Sequence, residues 1–139
     1  QKMNGEYEDK FCQAKSLYMY MYAHPGKKLS FMGNEFAQFD EWNNDKGIDF
    51  MLLDFEKHNK MHAFVKELNH LYKDNSEFYE IDYTWEGFRW LPADDNEHNI
   101  IAFERKNKKG ETIVCIANFS PVRHEHYRVG LDAGRYEES

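Results

Sequence analysis

Residues 24–42 read HPGKKLSFMGNEFAQFDEW, and this stretch contains a helix stop, a short apolar segment and the start of a long polar loop. The preceding helix is expected to end at His24-Pro25-Gly26, because proline and glycine both interrupt helical hydrogen bonding. Leu29–Met32 is a candidate buried strand, closed by Gly33. The loop that follows, residues 33–56, is much longer than the usual connection of about 2–6 residues between a strand and a helix. Barrel enzymes build their active sites from loops at this edge of the strands.

Two helices are predicted around this stretch. Over residues 6–23 apolar side chains recur at helical spacing, with Asn4 as the expected N-cap. A second helix is expected from about His58 to Tyr72, where Met61, Val65 and other apolar side chains share one face. One strand between two helices has no sheet to join. Residues 1–73 are therefore expected to be an incomplete fold, since a (β/α)8 barrel needs about 250 residues.

From residue 84 onward the apolar pattern changes to a period of two, which predicts an all-β region over residues 84–139. Thr112–Phe119 is apolar on both faces, so it is expected to be a central strand. Residues 74–83 are interpreted as a linker, and the fold class is α+β with an antiparallel, β-sandwich-like second part. The predicted strands are Trp85–Leu91, Asn99–Arg105, Thr112–Phe119, Tyr127–Val129 and Arg135–Glu137.

The overall composition excludes several classes of protein. The net charge of −7 disfavours a nucleic-acid partner, which needs a basic face. The basic run at residues 105–110 is interpreted as a solvated hairpin turn. No apolar run is long enough to span a membrane, and no signal peptide is visible. Cys12 and Cys115 are both expected to be partly buried, reduced thiols, which favours a cytoplasmic location.

The loop at residues 33–45 interleaves carboxylates, amides and aromatic rings, as a glycan-binding surface does. The alternative is a polar surface loop with Phe36 and Phe39 anchored in the core. Glu35 is a candidate acid, but glycoside chemistry needs a second carboxyl group, about 5–5.5 Å away in retaining enzymes. Possible partners are Asp40, Glu41, Asp45 and Asp49. A structural ion pair or hydrogen bond is the other explanation for Glu35.

Two histidine pairs are candidate metal ligands. His58 and His62 have helical i, i+4 spacing, but Asn59 stands where a metalloprotease helix has glutamate. His124 and His126 would share a face of a regular strand. Neither pair has a third ligand at a recognisable spacing, so we expect no metal and no other cofactor.

The segment from His24 to Gln38, followed by Glu41-Trp42-Asn43, resembles the last barrel strand and its loop in bacterial glycogen branching enzymes of the α-amylase-like superfamily. The resemblance continues through Asp49–Leu53, Leu68–Tyr72 and Gly87–Leu91. It also covers residues 113–122 and 127–130, and so nearly the whole chain. It implies that residues 1–73 are the last helix–strand–helix part of the catalytic barrel and that residues from about 84 begin the C-terminal β domain.

The resemblance also implies an activity. A branching enzyme cuts an α-1,4 linkage in a glucan and transfers the freed chain to a C6 hydroxyl, making an α-1,6 branch. Its mechanism is retaining and uses an aspartate nucleophile, a glutamate acid and base, and a third carboxylate. No carboxylate of this chain matches those three, so no catalytic residue is assigned and the chain alone is expected to be inactive.

By their location, Asn34, Glu35 and Trp42 are expected to border glucan subsites. The implied partner is an α-glucan, and self-association through exposed apolar surface is also expected. The alternative is a non-catalytic glucan-binding or structural β module.

Overall fold

The computed structural model describes residues 3–91 and 97–138 of the chain. Two helices come first, and three strands follow. Short 3-10 turns lie at Asn34–Phe36, Phe50–Asp54, Ser76–Phe78 and Trp85–Gly87. The regular elements are α1 (Tyr7–Ala23), α2 (Glu56–Asp74), β1 (Phe88–Trp90), β2 (Ile100–Lys106) and β3 (Thr112–Asn118).

Both predicted helices are confirmed, and they pack against each other. Phe11 and Ala14 of α1 form a buried cluster with Met61 and Val65 of α2. The expected cap at Asn4 is wrong, because α1 begins after Glu6, whose backbone N–H donates to the Asp9 carboxylate at 3.0 Å. A helix start leaves backbone donors unpaired, and an acidic side chain at the third helical position can satisfy one of them.

The buried strand predicted at Leu29–Met32 is wrong. The segment is irregular and has no strand beside it in the described part of the chain. Leu29 is 79% exposed, and Phe31 and Met32 are also exposed. Strand structure depends on a neighbour that pairs with the backbone, so an apolar run without one remains irregular.

The β region forms one three-stranded antiparallel sheet in the order β1-β2-β3. The meander is therefore confirmed for three strands, but β2 is central and Thr112–Asn118 is an edge strand. Tyr127–Val129 and Arg135–Glu137 are not strands, so the described residues contain a single sheet and not a sandwich. The predicted break at residues 92–96 lies outside the described residues.

Helix α1 packs on one face of the sheet through aromatic rings. Phe103 of β2 is buried, and its ring centroid lies 6.1 Å from that of Tyr20 and 6.0 Å from that of His24. Phe88 and Trp90 of β1 contact the same ring at 5.4 and 5.6 Å. Phe103 thus joins the helical part of the chain to the sheet. No helix in the described ranges is long and apolar enough to cross a membrane.

The two cysteines are free thiols in different environments. Cys12 is exposed, which corrects the expectation of partial burial, whereas Cys115 is half-buried. Burial raises the pKa of the Cys115 thiol to about 11. Since the thiolate is the reacting form, iodoacetamide at pH 8.5 should alkylate Cys12 well before Cys115.

Mass spectrometry of the digested protein over time would measure this order, with a urea-unfolded sample as the control in which the two rates converge. Equal rates in the folded protein would contradict the burial of Cys115.

Candidate functional site

A groove of about 1000 Å³ runs between α1 and the segment 29–42. Its walls combine aromatic and aliphatic side chains with a few amides and carboxylates. Of the predicted site residues, Asn34 and Trp42 line it and Glu35 does not. The groove is lined on the helix side by Tyr7, Phe11, Ala14, Leu17, Tyr18 and Met21, and on the loop side by Leu29, Phe31, Met32, Asn34 and residues 37–42.

A tight turn at Gly33 shapes the loop side of the groove. Gly33 has φ +85°, and a Cβ there would lie 2.8 Å from Gln38 Oε1, so only glycine fits. The Gln38 N–H donates to the Gly33 carbonyl at 2.9 Å and closes the turn. Gln38 Oε1 accepts the Asp49 N–H at 3.0 Å, which ties the turn to the end of the long loop.

Phe36 anchors this turn to α2. Its side chain is 1% exposed, and its carbonyl accepts a hydrogen bond from His58 Nδ1 at 2.7 Å. The anchored-loop interpretation is therefore correct for Phe36 but wrong for Phe39, which is exposed. His58 is itself buried, whereas His62, one turn further along α2, is exposed.

The loop presents exposed aromatic rings to the groove. Trp42 is 49% exposed, and its ring meets that of Phe31 edge to face, with centroids 5.8 Å apart. Phe39 is also exposed in the groove. A second cavity of about 490 Å³ adjoins the groove and shares residues 38–42 with it. Trp42 thus lies where the two cavities meet.

Glu35 lies outside the groove lining but is electrostatically coupled to it. The pKa of the Tyr18 hydroxyl in the groove is raised, first by burial and then by the negative charge of Glu35. Of the carboxylates considered as its partners, Asp40 and Glu41 line the groove, Asp49 lines the second cavity, and Asp45 lines neither. Asn34 and Trp42 thus line one groove, whereas Glu35, which follows Asn34 in the same 3-10 turn, is not part of that lining.

No group of three or more metal-ligating side chains occurs within residues 3–91 and 97–138. His126 adopts φ +60° in an irregular segment, so it does not share a strand face with His124 as expected. His124 instead meets His98, with ring centroids 4.6 Å apart.

The residue that the sequence reasoning missed is Arg105. It was grouped with a solvated basic turn, but its side chain is fully buried and forms an ion pair with Asp82, with Nη2 3.0 Å from Oδ1. Its position in the strand could have indicated burial, because Ile101, Phe103 and Arg105 occupy every second position and therefore lie on the same face. Lys28 lies close to this pair, and burial lowers the pKa of its amine to about 8.

The second half of the chain matches a known family model. Residues 90–139 match the alpha amylase C-terminal all-beta domain. This match covers the strands β2 and β3 and the irregular segment that follows them.

Relatives of the whole chain are enzymes named 1,4-alpha-glucan branching enzyme GlgB. Those of Bacillus mycoides (strain KBAB4) and Bacillus cereus (strain AH820) are 46% identical over 136 residues, and that of Bacillus cytotoxicus is 44% identical. Each alignment covers 97% of this chain and 21% of the relative, so the chain spans about a fifth of their length. Along nearly all of its residues, the chain is therefore similar in sequence to about a fifth of the bacterial 1,4-alpha-glucan branching enzymes, and its second half matches the alpha amylase C-terminal all-beta domain.

Proposed function

We propose that this chain works as part of a 1,4-α-glucan branching enzyme. Residues 1–73 would belong to the end of its catalytic (β/α)8 barrel, residues 74–83 to a linker, and residues 84–139 to its C-terminal β domain. The observation that carries this proposal is the 46% identity with branching enzymes over 97% of the chain. The free thiols favour a cytoplasmic location for it.

In this proposal the groove binds an α-glucan. Sugars present apolar C–H faces and polar hydroxyl edges, and the groove offers the matching groups. The exposed Trp42 indole would pack on a pyranose face, while the Asn34 carboxamide can both donate to and accept from hydroxyls. Glu35 would act at the border of the same subsites, where its charge already reaches Tyr18.

The reaction proposed for the enzyme is the cutting of an α-1,4 linkage and the transfer of the freed chain to a C6 hydroxyl. It needs an aspartate nucleophile and a glutamate acid and base. We assign neither role to a carboxylate of this chain. The expected contribution of residues 1–139 is to hold glucan and to support the loop that contacts it, and the chain alone should show no branching activity.

A maltoheptaose titration followed by the indole N–H signals of the three tryptophans tests this site. We expect the Trp42 signal to shift and saturate, because its ring lies in the groove. Trp42→Ala should weaken binding by about tenfold or more, which is typical of a central aromatic contact. Trp85→Ala is the matched control, since Trp85 is 83% exposed and lies outside the groove.

The same titration separates the alternative function. The exposed rings of Trp85 and Trp90 favour a glucan-binding β module as the second candidate. If their signals shift while that of Trp42 stays constant, the ligand binds the β part and the groove assignment is wrong. If no signal moves in a well-dispersed spectrum, the groove of this chain does not bind maltoheptaose.

Self-association is a further expected property. Leu29, Phe31 and Met32 are exposed apolar side chains in an irregular segment, and such surfaces favour contact between copies. We expect the sedimentation coefficient to rise with protein concentration and Leu29→Lys to reduce this rise. A single species of monomer mass over a wide concentration range would contradict the prediction.

A further inference from the structure

Arg105 connects the sheet with the end of α1 and with the segment 78–87. Its Nη1 donates to the Ala23 carbonyl at 2.8 Å, at the end of α1. Its Nη2 donates to the Phe78 carbonyl and to Asp82 Oδ1, both at 3.0 Å, and its Nε donates to the Gly87 carbonyl at 3.2 Å. A planar guanidinium can serve several acceptors at once in a fixed geometry, which a lysine amine cannot do.

Asp82 extends this network to the turn before the groove. Its Oδ1, which accepts from Arg105, also accepts the N–H of Gly26 at 3.0 Å. Within the same turn, Lys28 Nζ donates to the His24 carbonyl at 2.6 Å. Arg105 and Asp82 therefore hold both sides of the turn, at the Ala23 carbonyl and at the Gly26 N–H.

The segment Leu29–Met32 depends on contacts at its ends. It has no strand partner among the described residues, so no ladder of backbone hydrogen bonds holds its middle. Its far end is fixed by the buried Phe36 and its hydrogen bond from His58. Its near end, Leu29, is three residues after Gly26. The direction in which this wall of the groove leaves α1 is thus set at the turn that Arg105 and Asp82 hold.

We propose that Arg105 is a positioning residue for the groove: from the sheet, it fixes the turn at residues 23–26 and thereby places the groove wall at residues 29–42. A buried ion pair is often no more stabilising than an apolar replacement, and its best-attested use is to specify geometry. The ligand in this proposal rests on the proposed function, whereas the placement of the wall does not.

The test compares Arg105→Lys and Asp82→Asn with the surface control Arg135→Lys, all in the 139-residue chain. Without ligand, we expect the Gly26 amide and Trp42 indole signals to move in both network variants, while the Met61 methyl signal in the helical core stays in place. With maltoheptaose, we expect binding to weaken by between about twofold and thirtyfold. The control should match the wild type in every signal.

The outcomes are distinguishable. The proposal would be overturned if Arg105→Lys folds and its signals from residues 26 to 42 match those of the wild type. It would also be overturned if the signals of α2 and of the groove wall shift equally, because that indicates general loosening of the fold. If Arg105→Lys does not fold, Asp82→Asn decides in the same way. If the wild type binds no maltoheptaose but the ligand-free signals move as expected, the positioning role stands and the glucan site fails.

Discussion

Replacing Arg105 with methionine should lower the free energy of unfolding by about 3–5 kcal/mol, the usual cost of removing one partner of a buried ion pair. Methionine fills much of the space but leaves the Asp82 carboxylate, itself buried, without its counter-charge. It also removes the donor to the Ala23 and Phe78 carbonyls. Equilibrium urea unfolding, followed by circular dichroism, measures the change.

Arg135→Met is the matched control for this variant. Arg135 pairs with Glu137 on the surface, where both side chains are largely exposed, and such pairs contribute about 0–1 kcal/mol. A loss in Arg105→Met as small as that in Arg135→Met would show that the buried network adds little to stability.

Replacing Phe103 with alanine should have a cost of similar size, about 3–5 kcal/mol. The ring is buried, and the rings of Tyr20, His24, Phe88 and Trp90 surround it. Alanine would leave a cavity between α1 and the sheet that these rings can fill only in part. Urea unfolding measures the effect. We expect the unfolding midpoint followed by helical circular dichroism and the midpoint followed by tryptophan fluorescence to fall by the same amount.

Trp85→Ala is the control for the loss of a large ring. Because Trp85 is exposed, its removal should change stability by no more than about 0.5 kcal/mol. If Phe103→Ala cost as little, the packing of α1 on the sheet would not be a main source of stability.

The elements that were predicted correctly are those whose pattern is local. The apolar spacing in α1 and α2 is set by each helix's own geometry, and the alternation in β2 and β3 reflects the two faces of a sheet. The strand predicted at Leu29–Met32 is absent because a strand also needs a neighbouring strand to pair with. The composition of the segment suits a strand but does not show whether such a neighbour exists. Tyr127–Val129 and Arg135–Glu137 failed for the same reason.

The site was predictable in part. The interleaved rings and amides after Gly33 predict a glycan-binding loop, which stays a prediction; Phe39 and Trp42 are exposed, and Asn34 and Trp42 line one groove. Glu35 could not be placed, because the direction of a side chain in a tight turn depends on how that turn is anchored. Arg105 was missed because charged residues beside a basic turn are usually exposed. Only its position on the same strand face as Phe103 indicates that it is buried.

The two faces of β2 carry opposite charges, each with its own counter-charge. Arg105 meets Asp82 on one face, and on the other Glu104 accepts two hydrogen bonds from Arg89, both at 2.9 Å. A slip of one residue in the pairing would exchange the faces: in one direction Arg105 would come opposite Arg89, and in the other Glu104 would take the place of Arg105 beside Asp82. Either one-residue misalignment would therefore bring two like charges together, which gives the central strand an electrostatic means of rejecting it.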